Sequence, residues 1–196
     1  MINNKVEEIK NHIEEIMRIL EIEKTESNNN TPIRVAKMYE QELFRNRNNR
    51  NLEELDSSMK VFGNVDNIKD MVIIEDISFS SICEHHWLPF QGIISVGYIP
   101  NDHIIGLSKV PRVVKHFSKK PQLQERLVKE IADYLFSILS PEFLIVEGIA
   151  THDCVMCRGI ESECSTNTIY TLGETFSFGS QRNSNEFFLR RQFNYE

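Results

Sequence analysis

Apolar residues at Val6, Ile9, Ile13, Ile16, Met17 and Leu20 recur every three or four positions, which predicts an amphipathic helix near the N-terminus. A polar break over Thr25–Asn30 follows. The stretch "NTPIRVAKMYEQELF" then predicts a second helix. Asn30 or Thr31 serves as its N-cap, Pro32 falls in its first turn, and Val35, Met38, Tyr39 and Leu43 share one face. "RNRNNRN", Arg45–Asn51, has no periodicity and reads as a loop.

After residue 70 the pattern changes. "MVIIEDISFS" and "GIISVGYIP" read as strands. "GLSKVPRVVKHF" returns to helical spacing through Leu107, Val110, Val113, Val114 and Phe117, and "PQLQERLVKEIADYLFSIL" repeats it through Leu123, Leu127, Ile131, Leu135 and Leu139. Ser140-Pro141 ends that helix. "FLIVEGIAT" and "STNTIYTLGETF" are again strand-like. This order predicts an α+β protein, a four-stranded antiparallel sheet with two helices on one face, carrying an N-terminal helical extension. The expected division is a helical region over 1–70 and a second domain over 71–196. So small a sheet leaves edges uncovered, which points to a ring-like oligomer.

Composition narrows the classes. A net charge of −7 argues against general affinity for nucleic acid or anionic membranes. Acids in the first turns of the N-terminal segment argue against a signal peptide, and no segment has the length and apolarity of a membrane span. A cytoplasmic protein with four reduced cysteines is expected, which shifts those cysteines toward metal binding or catalysis. Within this acidic chain, His103–Gln124 contains no Asp or Glu but carries Lys109, Arg112, Lys115, Lys119 and Lys120. Such a local stripe suits a small polyanion.

Cys83, His85 and His86 lie between the first two strands, and His152, Cys154 and Cys157 follow the third. Two zinc sites are open on these residues. Cys154 and Cys157, with Cys83 and one histidine, would make a closed structural site. Cys83, His86 and Cys154 would leave a fourth position open, with His85 and His152 beside the ligands for proton transfer. Cys164 has no such company and reads as packing. Gly106, Ser108 and Lys109, ahead of Arg112 and Lys115, could form a phosphate site at a helix N-terminus or a solvated basic face. Gln124 and Glu125 open the next helix and by themselves read as helix surface, although a carboxylate there could accept two hydrogens from a guanine edge.

Taken together, "NTPIRVAKMY", "SSICEHHWLPFQG", "GYIP", "GLSKVPRVVKHF", "PQLQERL", "THDCVMCRGI" and "EFFLRRQF" closely resemble the GTP cyclohydrolase I family. The resemblance runs from about residue 30 to the end. It implies the tunnelling fold, zinc at Cys83, His86 and Cys154, and Cys157 as a non-ligand. It also implies conversion of GTP and water to formate and 7,8-dihydroneopterin triphosphate, a first step of pterin and folate-type biosynthesis. His85 would protonate the opening imidazole ring of guanine, and His152 would serve acid–base steps at the ribose. Gln124 and Glu125 match the base anchor. Ser108, Lys109, Arg112 and Arg158 match triphosphate contacts, and Arg34 matches an arginine that reaches a neighbouring subunit's site. A homodecamer of two pentameric rings is implied as well.

The departures are small: a short segment before "NTPIR", Trp87 where a smaller apolar residue or Phe is common, and Lys120 where Arg is frequent. Three rival readings remain distinguishable. A zinc-stabilised scaffold would not require His85, His152, Glu125 and the basic stripe together. A relative acting on another purine or pterin would be expected to lack the Cys-His-Cys set or the second histidine. A nucleic-acid binder would require a basic, aromatic-rich surface.

Overall fold

The computed structural model describes residues 4–173 and 183–189. Helix α1 (Asn4–Ile19) packs on α2 (Thr31–Lys37), which continues as a π-helical turn over Met38–Leu43. Phe44 N–H donates to the Tyr39 carbonyl, a five-residue step that ends this turn. The periodic reading of the first two helices therefore holds, with the backbone locally underwound at the second helix's end. Val6 is buried, but Ile16, Ile19 and Leu20 are exposed, so much of this apolar stripe has no cover among the described residues.

Two elements carried no legible signal. Helix α3 (Leu52–Ser58) sends Leu55 into the main core, and β1 (Val61–Gly63) pairs antiparallel with β4 (His103–Ile105). Three-residue strands are too short to display an alternation. The main sheet contains β2 (Val72–Cys83), β3 (Pro89–Ile99), β6 (Phe143–His152), β7 (Ser165–Gly173) and the two-residue β5 (Pro121–Gln122). Their order is β5-β2-β3-β6-β7. The four long strands are antiparallel, as expected. The fifth, β5, adds parallel to β2 at residues read from sequence as the start of a helix.

Helices α4 (Lys109–Ser118) and α5 (Gln124–Leu139) cover one face of the sheet. Val110, Val113, Val114 and Phe117 from α4 meet Leu127, Ile131, Leu135 and Leu139 from α5, over Phe90, Ile94, Val96, Leu144 and Val146. Burial of this many large aliphatic side chains supplies the main driving force for folding. Leu107 departs from the expected stripe. It is 65% exposed because α4 begins only at Lys109, so Leu107 precedes the helical period. Across the sheet, Phe187 from a short helix at 183–189 packs on Met71, Phe143 and Ile145.

Gly148 explains how closely α5 approaches. A Cβ there would lie 2.8 Å from Val128 and 3.0 Å from Ile94, a contact no side chain tolerates. The absence of a side chain at this strand position lets the start of α5 reach the sheet. No helix among the described residues is long and apolar enough to cross a membrane.

Candidate metal centre and active site

The loop after β2 is fixed by its own backbone. Cys83 N–H donates to the Leu88 carbonyl and Trp87 N–H to the Cys83 carbonyl, each at 2.9 Å, with Trp87 in the left-handed region at φ 55°. This tight return places Cys83 inside and His85 and His86 outside. The single turn α6 (Asp153–Met156) begins where β6 ends and brings Cys154 to the same place.

Ligand atoms of Cys83, His86 and Cys154 all lie within 4.8 Å of one another. Tetrahedral zinc with bonds of about 2.0–2.3 Å demands ligand separations only somewhat shorter than this, so the group fits such an ion. Cys157, exposed beyond the turn, is not in the group. Nor is His85, although its Nδ1 lies 3.9 Å from the Cys83 sulfur. Cys164, expected in packing, is exposed; it lies in the irregular segment before β7, where there is no core to enter. All four cysteines are free. Burial, and next the neighbouring Cys83 thiol, push the Cys154 thiol up. A bound cation would reverse that preference by favouring thiolate.

His152 occupies the last position of β6. Its ring stacks on Phe90 at 4.7 Å and 2°, and its Nε2 lies 2.8 Å from Gln124 Oε1. Burial pushes its pKa down, against the opposing charges of Glu125 and Asp153. Gln124 was expected at the base, but its side chain is buried and its amide is bonded within the protomer. Glu125, next to it, is exposed.

Several supporting residues were missed from sequence. Arg126 donates to the Glu84 carboxylate, beside Cys83, and also to Gln122 Oε1 at 2.8 Å and the Pro121 carbonyl at 3.1 Å. Gln122, fully buried, donates to Glu130 at 2.7 Å and the Phe117 carbonyl at 3.1 Å. The metal loop is thus tied to α5 by a charged network. From the other side, Trp87 packs edge-on against Tyr39 and Phe44. In sequence these residues looked like ordinary helix surface and loop.

Of the cationic residues, Arg158 is near enough to act electrostatically on Cys154. Ser108 precedes α4, and Lys109 and Arg112 fall in its first turn, with no ion pair or side-chain hydrogen bond among the described residues. The helix's other end leads into β5, which pairs with Cys83. Ten helical residues span about 15 Å, so Lys109 stands at the end of α4 opposite the one that leads to β5. Arg34 and Arg158 are exposed and likewise form no ion pair among the described residues. The described structure does not gather these five residues into one cluster with His85 and His152.

Comparison with known proteins identifies the family. A family profile described as GTP cyclohydrolase I matches residues 9–191. A protein named GTP cyclohydrolase 1 from Blochmanniella pennsylvanica is 38% identical over 191 residues, covering 96% of this chain and 84% of the relative. Its namesake from Serratia proteamaculans is 38% identical over 93% of this chain and 80% of the relative. That from Sodalis glossinidius is 38% identical over 95% and 82%. A solved structure, archaeosine synthase QueF-Like in the apo form, aligns at a TM-score of 0.42 and 16% identity, over 54% of this chain and 95% of that one. With the profile spanning nearly the whole chain and relatives matched over most of their length, the protein belongs to the GTP cyclohydrolase I family.

Proposed function

We propose that this protein is a zinc-dependent GTP cyclohydrolase I, converting GTP and water to formate and 7,8-dihydroneopterin triphosphate. The observation that carries the reading is the convergence of Cys83, His86 and Cys154 from two distant segments, with His152 held at the adjoining strand end. Zinc on these three residues would supply Lewis-acid activation of water for hydrolysis at C8 of guanine.

The protein's own groups then divide the work. His85, exposed beside the ligands, donates a proton to the ring nitrogen released as the bond to C8 opens. His152, held at the end of β6 against Gln124, serves proton transfer at the ribose as it opens and recloses. The Glu125 carboxylate accepts hydrogens from guanine N1 and its amino group. Ser108, Lys109, Arg112 and Arg158 hold the triphosphate, whose charge matches a stripe lacking acids.

Lys109, Arg112 and Arg34, exposed and without ion pairs among the described residues, suit completion of each site by a neighbouring copy, with Arg34 reaching across. We place the chain in the tunnelling fold and in a homodecamer of two face-to-face pentameric rings. The nine-residue β7 at an open sheet edge and the uncovered stripe on α1 both support such closure. The reduced cysteines suit a cytoplasmic location.

The deciding experiment incubates zinc-loaded protein with GTP, then oxidises and dephosphorylates the product. Neopterin fluorescence with an equal amount of formate is expected. Assembled, zinc-containing protein that yields neither would overturn the proposal. Light scattering should give a mass about ten times the 22.9 kDa chain.

A further inference from the structure

Gln124 is 2% exposed, and its amide nitrogen lies 2.8 Å from the Gly148 carbonyl and 2.9 Å from the Thr166 carbonyl. Carbonyl oxygens only accept, so the end of the side chain facing both must be the NH2 group. The two acceptors therefore settle an orientation that the similarity of amide oxygen and nitrogen otherwise leaves open. The amide oxygen is directed away from them, to 2.8 Å from His152 Nε2. An amide oxygen carries no hydrogen, so this contact is a hydrogen bond only when Nε2 carries one. In a neutral imidazole the other nitrogen, Nδ1, is then the acceptor.

Three further features make the arrangement rigid. Gly148 and Thr166 belong to the adjacent strands β6 and β7, so Gln124 is anchored across a strand pair. Phe90 stacks flat on the imidazole and fixes its plane. The missing side chain at Gly148 admits the start of α5, where any Cβ would strike Val128. A rotated Gln124 amide would set oxygen against two carbonyl oxygens in a buried space, which is costly.

We infer that Gln124 is a positioning residue that holds the His152 ring with a proton on Nε2, leaving Nδ1 as the atom that exchanges a proton during the reaction. This deepens the proposed function and rests on its reading of His152 as a proton-transfer group. It also moves Gln124 from the base-binding role to one acting through His152, and leaves the guanine edge to Glu125.

Magic-angle-spinning NMR of zinc-loaded, 15N-histidine-labelled full-length protein tests this directly, with the His152 signals assigned by their loss in His152→Asn. The expected spectrum has a protonated Nε2 and a bare Nδ1. A protonated Nδ1 with bare Nε2, or an even mixture of tautomers, would overturn the inference whatever the activity. Gln124→Met keeps the length and removes every hydrogen bond. It should release the tautomer preference and lower kcat by about tenfold or more while leaving KM for GTP within about twofold. A rise in KM with kcat unchanged would make Gln124 a substrate contact and sink the positioning role. If Gln124→Met does not fold, the wild-type spectrum still decides. Full activity in His152→Asn, alongside a wild-type Nε2–H spectrum, would refute the proton-transfer reading while upholding the tautomer lock.

Discussion

The two chemical regions of this chain, the metal centre and the cationic start of α4, are built in opposite ways. At the metal centre nearly every polar group is bonded inside the protomer. Arg126 holds Glu84, Gln122 holds Glu130, Gln124 holds His152, and the loop closes on its own backbone. At the start of α4, Lys109 and Arg112 project without any ion-pair partner among the described residues. Farther along, burial and the charge of Lys115 push the Lys119 pKa down. Chemistry that needs angles fixed within tenths of an ångström is pre-organised by covalent neighbours and buried hydrogen bonds. Recognition of a mobile polyanion needs charge more than rigidity, and its counter-charge arrives with the ligand.

The sharpest test of that contrast removes one ligand. Cys154→Ala should lose stoichiometric zinc and reduce activity at least a thousandfold, because two remaining ligands cannot hold an active ion. Cys157→Ala should keep both zinc and activity; zinc loss there, measured by mass spectrometry, would restore the closed CxxC site. At the cationic end, Lys109→Ala or Arg112→Ala should raise KM for GTP about 10- to 100-fold while zinc content stays constant. Loss of zinc in either variant would erase the distinction between the regions.

Arg126→Ala should weaken zinc affinity by about tenfold by freeing the Glu84 side of the loop. Trp87, the chain's single tryptophan, follows His86 directly, so its emission during zinc titration reports that change. The smallest effect is expected at His116, on α4 one turn beyond Arg112. Burial is the main cause that lowers its pKa from 6.5, and Asn46 donates to its Nδ1 at 3.3 Å. Because the folded pKa is depressed, the unfolded chain binds more protons below about pH 6.5. The stability from neutral His116 is complete above that pH and falls on acidification toward the folded pKa. His116→Gln should flatten the acid side of the denaturation profile without altering zinc content; an unchanged slope would show that other groups set it.

Much of this fold was legible because its elements are long. Helices α1, α4 and α5 carry several periods of apolar residues, and β2, β3, β6 and β7 each run nine residues or more. The short elements α3, β1, β4 and β5 were not legible, since their existence depends on pairing rather than on a local pattern. Leu107 shows the same limit at a boundary: its apolar character matched the helical stripe, but the stripe starts two residues later.

The sequence by itself determined the inventory of chemistry: two histidines beside a cysteine, a second His-x-Cys group, an acid-free basic stripe, and the order of helices and strands. Residue type and spacing left open which members meet; the family resemblance implied a ligand set, and the tertiary structure brings it together. It brought His86 rather than His85 into the ligand group, left Cys157 out of it, and turned Gln124 inward onto His152. Periodicity and residue type are local properties and survive in a written sequence. Metal-ligand convergence and hydrogen-bond direction depend on distances of a few ångströms between atoms far apart along the chain, and those are set only when the sheet closes and α5 packs upon it.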